Sequence, residues 1–290
     1  MGVALGIDFG TSYSCAAAVR GDALAVVEDG QGRKTMPSVV HFGPTGKVTV
    51  GREARLRATD DAENTIHSAK RFLGRRFGDG AIRIARNAYL YKLEQGPNEW
   101  PVIDVRGGPF TVPEVCACVL KEIKSQAEAF FEERVTETVI AVPANSDDGQ
   151  REQTRIAGRV AGLNVLKLLN EPTAAALAHA VAAPLGRTLA VYDFGGGTFD
   201  FSVMEWGEAA STVLATHGDA FLGGDDIDLA IAVHVANWFQ QKTGADLRKR
   251  ASEWKRLLFA CEAAKRQLSK QAKAPVRIDE AAHLEGGAVD

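Results

Sequence analysis

Two stretches of this sequence, far apart along the chain, follow one pattern. LGIDFGTSYSCAAA (residues 5–18) and AVYDFGGGTFDFSV (residues 190–203) each place Asp-Phe-Gly after apolar residues, follow it within three residues by threonine, and continue into a second strand-like run. A strand, a tight turn and a second strand form a β-hairpin. Because the hairpin recurs in both halves, the sequence predicts a duplicated α/β architecture with a cleft between the copies.

The two turns combine groups that favour a phosphate with groups that repel one. Glycine leaves backbone amides uncovered, and Thr11 or Thr198 adds an uncharged hydroxyl donor. Asp8 and Asp193 hold the same place in the two copies, and two carboxylates facing one phosphate pocket repel each other and the ligand. The pair therefore predicts Mg²⁺ with a polyphosphate, held largely through water. A single glycine-rich hairpin is more often a plain turn, so the prediction depends on the matched pair.

Further charged candidates lie between and after these turns. Lys70 or Arg71, in HSAKRFLGRRFG, could neutralise a terminal phosphate, although a solvated basic helix has the same composition. Glu171 precedes Pro172, where a helix is expected to begin. It either caps that helix or, if the helix end borders the cleft, orients an attacking water or holds the hydration shell of the metal.

The order of elements changes at Pro113. Before it, short strands alternate with tight turns, residues 53–74 are expected to be helical, and residues 38–111 are rich enough in Gly, Pro and charge to form an insertion with its own small fold. After it, helices and strands alternate as in a sheet covered by helices, the hairpin at residues 187–206 follows, and two long helices close the chain.

Composition excludes several classes of protein. The 290 residues are 46% hydrophobic and 24% charged with a net charge of -3, values of a globular protein rather than a generic nucleic-acid binder. No long uncharged apolar segment or signal-peptide pattern occurs, so a cytoplasmic protein without a membrane partner is expected. In a helix, Cys116 and Cys118 would point about 200° apart, and with Cys15 and Cys261 they are interpreted as reduced structural thiols.

Six motifs resemble successive signatures of one family, the ATPase domain of DnaK-type heat-shock chaperones of the seventy-kilodalton class. They occur in the family's order across nearly the whole chain: GIDFGTSYSCAAAV, AKRFLGR, VIAVPANSDDGQREQTRIAGRVAGLNVLKLLNEPTAAALAHA, VYDFGGGTFDFSV, LGGDDID and ACEAAKRQLS. The resemblance implies an actin-like ATPase fold, in which duplicated mixed-sheet halves, flanked by helices, form two lobes around a central nucleotide cleft. The expected lobe I spans residues 1–184, with core 1–37 and 112–184 and insertion 38–111; lobe II spans 185–290, with core 185–222 and a helical subdomain at 223–290.

The resemblance also implies a role for individual positions. Hydrated Mg²⁺ and potassium would be held by Asp8 and Asp193, assisted by Asp200. The phosphates of ATP or ADP would lie between Gly10, Thr11, Ser12 and Tyr13 on one side and Gly195, Gly196, Gly197, Thr198, Gly223 and Gly224 on the other. Lys70 would contact the terminal phosphate and Glu171 would position the hydrolytic water. The adenosine would be clamped by Glu262, Lys265, Arg266 and Ser269, and Pro143 and Arg151 would relay the nucleotide state to a substrate domain.

Two departures from the family pattern affect these expectations. Asn145 and Ser146 stand where the family usually has two aromatic residues, which bears on the relay. The family domain also continues past residue 290, with a glycine-rich segment that completes the adenosine pocket. The sequence is therefore expected to be C-terminally truncated, with an incomplete lobe II and no substrate-binding domain.

The resemblance implies an ATP-binding and slowly ATP-hydrolysing chaperone domain that works with a substrate-binding domain, a J-domain co-chaperone and a nucleotide-exchange factor. Two alternatives remain open. One is a nucleotide-sensing interaction module without turnover. The other is a sugar kinase or filament-forming relative of the same fold, although Lys70 and Glu171 suit water better than a sugar hydroxyl.

Overall fold

The computed structural model describes residues 2–182, 188–206, 211–278, 282–284 and 287–289. The strands are, in chain order, β1 Val3–Asp8, β2 Tyr13–Arg20, β3 Ala23–Val26, β4 Met36–Pro37, β5 Val39–Phe42, β6 Val48–Val50, β7 Thr65–His67, β8 Lys92–Gln95, β9 Pro101–Val105, β10 Gly108–Thr111, β11 Val135–Val142, β12 Asn164–Asn170, β13 Thr188–Phe194, β14 Phe199–Trp206, β15 Ser211–Asp219, β16 Ala282–Leu284 and β17 Gly287–Val289.

The α-helices lie mainly after residue 111. They are α1 Arg52–Arg57, α2 Gly80–Ala88, α3 Val112–Phe131, α4 Asp148–Val160, α5 Glu171–Ala182, α6 Gly224–Thr243 and α7 Ala251–Leu268. Local sequence explains where the central helices begin: Thr111 and Glu114 form a capping box at α3, and Asp147 and Gln150 form one at α4. Helix α6 ends at Gly244, whose φ of 78° is a left-handed conformation that glycine adopts easily.

The N-terminal sheet brings three strand ends to one edge. Its strand order is β12-β11-β1-β2-β3, and β4 also pairs with β2. Strands β12, β11 and β1 run parallel, with Asp8 beside Ala141 and Val142 beside Asn170. The carboxyl ends of parallel strands meet at the same edge of a sheet. Asp8 and the residues that follow β11 and β12, including Glu171, therefore share that edge.

The second glycine hairpin belongs to a separate antiparallel sheet, β13-β14-β15. Asp193 pairs with Asp200 across it, and Phe194 pairs with Phe199 next to the turn. The short ladder holds both aspartates at the turn end of the sheet, as β1 holds Asp8.

Among the described residues, buried apolar side chains form two clusters. The larger cluster joins the N-terminal sheet and α3 with side chains of the 38–111 segment, such as Val40, Ile66 and Ile103. The smaller cluster lies between α6 and α7, around Phe239, Trp254 and other side chains, with Leu90 packed against it. The 38–111 segment thus shares the core of the N-terminal sheet, and its Leu90 reaches the helical pair.

The expectation of a helix over residues 53–74 is wrong for most of that segment. Only Arg52–Arg57 is α-helical; it is followed by the 3₁₀ helix Ala62–Asn64, by β7 and by the 3₁₀ helix Ala69–Phe72. Thr65 and Ile66 are β-branched and buried, and β7 pairs with β5, which competes with the helix. The alternation of helices and strands expected after Pro113 is confirmed, with ends displaced by a few residues. In the described ranges, no helix combines the length and the apolar character needed to cross a bilayer.

Candidate functional site

The two glycine turns touch each other. A Cβ atom added to Gly196 would lie 1.9 Å from Ser12 Oγ, and one added to Gly197 would lie 2.5 Å from Thr11 Cγ2. None of Gly195, Gly196 and Gly197 has a positive φ. Close approach between the two halves of the chain, rather than an unusual backbone angle, therefore requires glycine at 196 and 197.

Several backbone amides at this contact have no acceptor among the described residues. Gly195 O accepts from Gly224 N at 3.0 Å and Gly196 O accepts from Asp225 N at 2.8 Å, so the carbonyls of the second turn face the start of α6. Within the described chain, the following amides donate to no protein acceptor: Thr11, Ser12, Gly196, Gly197 and Thr198. Such uncommitted N–H groups are the donors that an anion site requires.

An excess of carboxylates surrounds Lys70. Its Nζ lies 2.8 Å from Glu171 Oε1, and both side chains are mostly buried. Burial raises the pKa of Asp8, with Lys70 opposing and Glu171 and Asp193 adding to the rise; Asp8 nevertheless keeps one face open to solvent. The pKa of Asp193 is raised by burial and by Glu171, against Lys70. Burial and repulsion from Glu171 and Asp193 raise the pKa of Asp200 to about 6, again against Lys70.

These shifts indicate a site that lacks positive charge. Four carboxylates share one electrostatic environment with a single lysine. In the part of the chain that the structure describes, no three His, Cys, Asp or Glu side chains are close enough to ligate a metal directly. The donor set therefore suits a hydrated cation held through water, which is the way Mg²⁺ usually binds beside phosphates.

The raised pKa of Asp200 predicts a pH-dependent stability. Because its folded-state pKa of about 6 exceeds the ordinary value of 3.8, ionisation costs folding free energy as pH rises through that interval. We expect Asp200→Asn, without added metal, to unfold at a higher temperature than the wild type at pH 7.5 and to lose that advantage at pH 4. Thermal unfolding at both pH values tests this, with the exposed Glu205→Gln as control. An Asp200→Asn difference independent of pH would contradict the shift.

Arg71 and Lys70, which the sequence offered as alternatives, have different contacts. Arg71 Nε donates to Gly197 O at 3.0 Å, Nη2 to Asp226 Oδ2 at 2.5 Å and Nη1 to Tyr89 Oη at 3.3 Å. These bonds join the 38–111 segment to the second turn and to α6. The Arg71 guanidinium is thus committed to protein partners, whereas Lys70 lies among the carboxylates.

Of the four expected adenosine residues, Glu262 and Arg266 approach each other, with Glu262 Oε1 3.8 Å from Arg266 Nη1, whereas Lys265 contacts the start of α6. Lys265 Nζ donates to Gly224 O and Asp228 Oδ2, each at 2.7 Å. Glu262 is ion-paired with Arg55, while Arg266 and Ser269 are exposed. Lys265 thus ties α7 to the start of α6.

Sequence reasoning missed Arg55. It donates to Tyr13 Oη at 3.0 Å and also pairs with Glu262, so it links the first turn to α7. No motif surrounds Arg55 in the basic stretch REARLR, and no local signal could have found it.

Arg151, one of the two expected relay residues, reaches the strand end beside Glu171, and Asn145 reaches Asp200. Arg151 Nε donates to Ser146 O at 3.0 Å and its Nη2 to Asn170 Oδ1 at 2.9 Å, next to Glu171. Asn145 Nδ2 donates to Asp200 Oδ1 at 2.9 Å. Asn145, which occupies a position where the family usually has an aromatic residue, thereby contacts the carboxylate cluster directly.

The comparison with known protein families gives one match. The family described as Hsp70 protein matches residues 4–289. Members of this family share the actin-like ATPase fold, and their domain of this type binds nucleotide and acts as the ATPase of a chaperone. The match covers both hairpins, the Lys70–Glu171 pair and both long helices, so this chain belongs to the Hsp70 family and has its actin-like ATPase fold.

Proposed function

We propose that this chain is the nucleotide-binding domain of a DnaK-like chaperone, which binds ATP or ADP with Mg²⁺ between the two turns and hydrolyses ATP slowly. The observation that carries the proposal is the meeting of the two turns. Their free amides lie together with a carboxylate cluster that is short of positive charge.

Different groups of the chain would bind the phosphates, the metal and the attacking water. The amides of Thr11, Ser12 and the second turn would bind phosphate oxygens, and Thr198 would add a hydroxyl. Asp8, Asp193 and Asp200 would hold hydrated Mg²⁺, with potassium as a further cation; the metal supplies the positive charge that lets carboxylates and phosphates coexist. Lys70 would contact the terminal phosphate. Glu171, oriented by its 2.8 Å bond to Lys70, would position a water for in-line attack.

Closure of two lobes around the nucleotide would carry the signal onward. We propose the lobe boundaries expected from the sequence, with Pro143 and Arg151 as the relay and a substrate-binding domain as its target. Family membership supports a J-domain co-chaperone and a nucleotide-exchange factor as partners. The four free cysteines support a reducing, cytoplasmic setting.

Calorimetric titration of ATP and ADP, with and without Mg²⁺, tests the proposal. We expect magnesium-dependent binding that weakens at least about tenfold in Asp193→Asn, equivalent to about 1.4 kcal/mol. The matched control is Glu205→Gln, which removes an exposed carboxylate from the neighbouring strand of the same sheet and should bind as the wild type does. Binding that is independent of both Mg²⁺ and Asp193 would contradict the site. Magnesium-dependent binding without turnover would support the sensing module instead.

A further inference from the structure

A cavity lies between the first glycine turn, the 38–111 segment and helices α6 and α7, and none of the four clustered carboxylates lines it. Its volume is about 230 Å³, far more than one water molecule needs. Much of its wall is apolar or aromatic, and Ile84, which is 65% exposed, lies at its opening to solvent. The apolar lining includes Ile84, Leu90, Phe221, Leu229, Leu258 and Phe259.

Lys255 of α7 lines this cavity in an unusual environment. The residue is 5% exposed, and its Nζ lies 2.7 Å from His67 Nε2. Among the described residues, no carboxylate oxygen lies within 4.0 Å of that nitrogen. Two other lysines that contact a neighbouring element have acidic partners: Lys70 pairs with Glu171 at 2.8 Å and Lys265 with Asp228 at 2.7 Å. Lys255 is therefore a buried amine whose positive charge has no direct counter-ion.

The surroundings favour the neutral forms of both groups. The pKa of Lys255 falls to about 8, first because of burial and then because Arg55 repels the ammonium, although Asp225 and Glu262 oppose the fall. Burial and the charges of Lys255, Arg71 and Arg55 hold the pKa of His67 well below its usual value. The imidazole is thus neutral and its Nε2 accepts a hydrogen bond from the lysine nitrogen. A desolvated lysine beside another cation is a recognised arrangement for a nucleophilic amine.

We propose that the amine of Lys255 is a nucleophilic site that condenses with small aldehydes of apolar or aromatic body entering this cavity. The ammonium first releases a proton to water. The neutral nitrogen, held by His67, then attacks the carbonyl carbon, a C–N bond forms, and one water molecule leaves to give an imine. No electrons are transferred: one amine and one aldehyde give one imine and one water molecule.

Charge and shape favour this class of ligand over an acid or a cation. Asp225, Asp226, Asp228 and Glu262 line the same cavity and disfavour an anion, whereas Arg55, Arg71 and the Lys255 ammonium disfavour a cation. An uncharged carbonyl compound meets neither penalty, and its apolar body fits beside Phe259 and Leu258. The cavity adjoins the proposed nucleotide site, because Thr11, Ser12 and Glu262 also line it, but Lys255 has no role in that site.

Reductive trapping tests the site on the intact chain. Benzaldehyde and sodium cyanoborohydride at pH 7.5, followed by proteolysis and mass spectrometry, should add a benzyl group to Lys255 at least about tenfold faster than to exposed lysines such as Lys249. Lys255→Arg should remove the fast modification while keeping the charge. Lys249→Arg, which changes an exposed lysine just before α7, should leave it unchanged.

A pH series adds a measurement that does not depend on any variant. Modification of Lys255 should rise with a midpoint near pH 8. Modification that is confined to exposed lysines, or a Lys255 rate no faster than that of Lys249, would overturn the proposal.

Discussion

Replacing Lys70 with alanine, or Glu171 with glutamine, is expected to slow ATP hydrolysis at least about a hundredfold, the effect of losing a charged or general-base group at a reacting centre. Lys70 Nζ lies 2.8 Å from Glu171 Oε1, and each side chain is close to 10% exposed, at 11% and 13%. Burial and this contact fix the orientation of both side chains. Removing either member would therefore release the other. Single-turnover hydrolysis of radiolabelled ATP measures the effect.

The control for that experiment must separate chemistry from folding. Removing Lys70 leaves Glu171 and three neighbouring aspartates without their lysine, which costs about 3–5 kcal/mol, whereas Glu171→Gln leaves Lys70 among Asp8, Asp193 and Asp200. The double variant Lys70→Met with Glu171→Gln removes one carboxylate from that cluster, so it should be more stable than Lys70→Ala but should not recover hydrolysis. Glu152→Gln, in an exposed ion pair on α4, should change neither. Wild-type turnover in both single variants would exclude the proposed roles of Lys70 and Glu171.

Substituting Gly197 with alanine is expected to separate the two turns. The new Cβ would lie 2.5 Å from Thr11 Cγ2 and 2.6 Å from Arg71 Nε, distances that real Cβ contacts do not reach. Overpacking of this kind costs about 1–3 kcal/mol. We expect a lower thermal midpoint and, because the phosphate-binding amides move apart, ATP binding that is at least about tenfold weaker.

Gly195→Ala is the matched control for this prediction, one turn residue away from the contact. Its Cβ would lie 3.4 Å from Thr198 O, so the turn would tolerate it with a small adjustment. Thermal unfolding and nucleotide titration of both variants should show a large effect at 197 and a small one at 195. Equal effects at the two positions would mean that the turns do not meet in solution as they do here.

Local sequence was enough for the features that depend on neighbouring residues. The strand-turn-strand pattern around Asp8 and Asp193 predicts both hairpins because residues a few positions apart decide turn geometry. The same holds for the helices that begin at capping boxes. Where short β-branched runs and polar turns compete, as at residues 53–74, the local pattern was misleading, because pairing of β7 with β5 decided the outcome.

The contacts that join the two halves came only from the tertiary structure. Arg55 meets Glu262 from 207 positions away, Arg71 meets Asp226 from 155, and Lys255 meets His67 from 188. Each of these residues is part of an ordinary basic or helical stretch in the sequence, where solvent exposure is the default expectation. Their burial depends on how α6 and α7 pack over the 38–111 segment.

The glycines of the second turn show most clearly which features depend on local sequence and which depend on the tertiary structure. From the sequence, three consecutive glycines beside Asp193 already predicted an open turn that could present amides to an anion. The structure assigned a stricter reason to Gly196 and Gly197, the side chains of Ser12 and Thr11 lying where a Cβ would be. Periodicity and turn chemistry are local and are encoded in adjacent residues, whereas steric contact between distant segments exists only once the chain has folded.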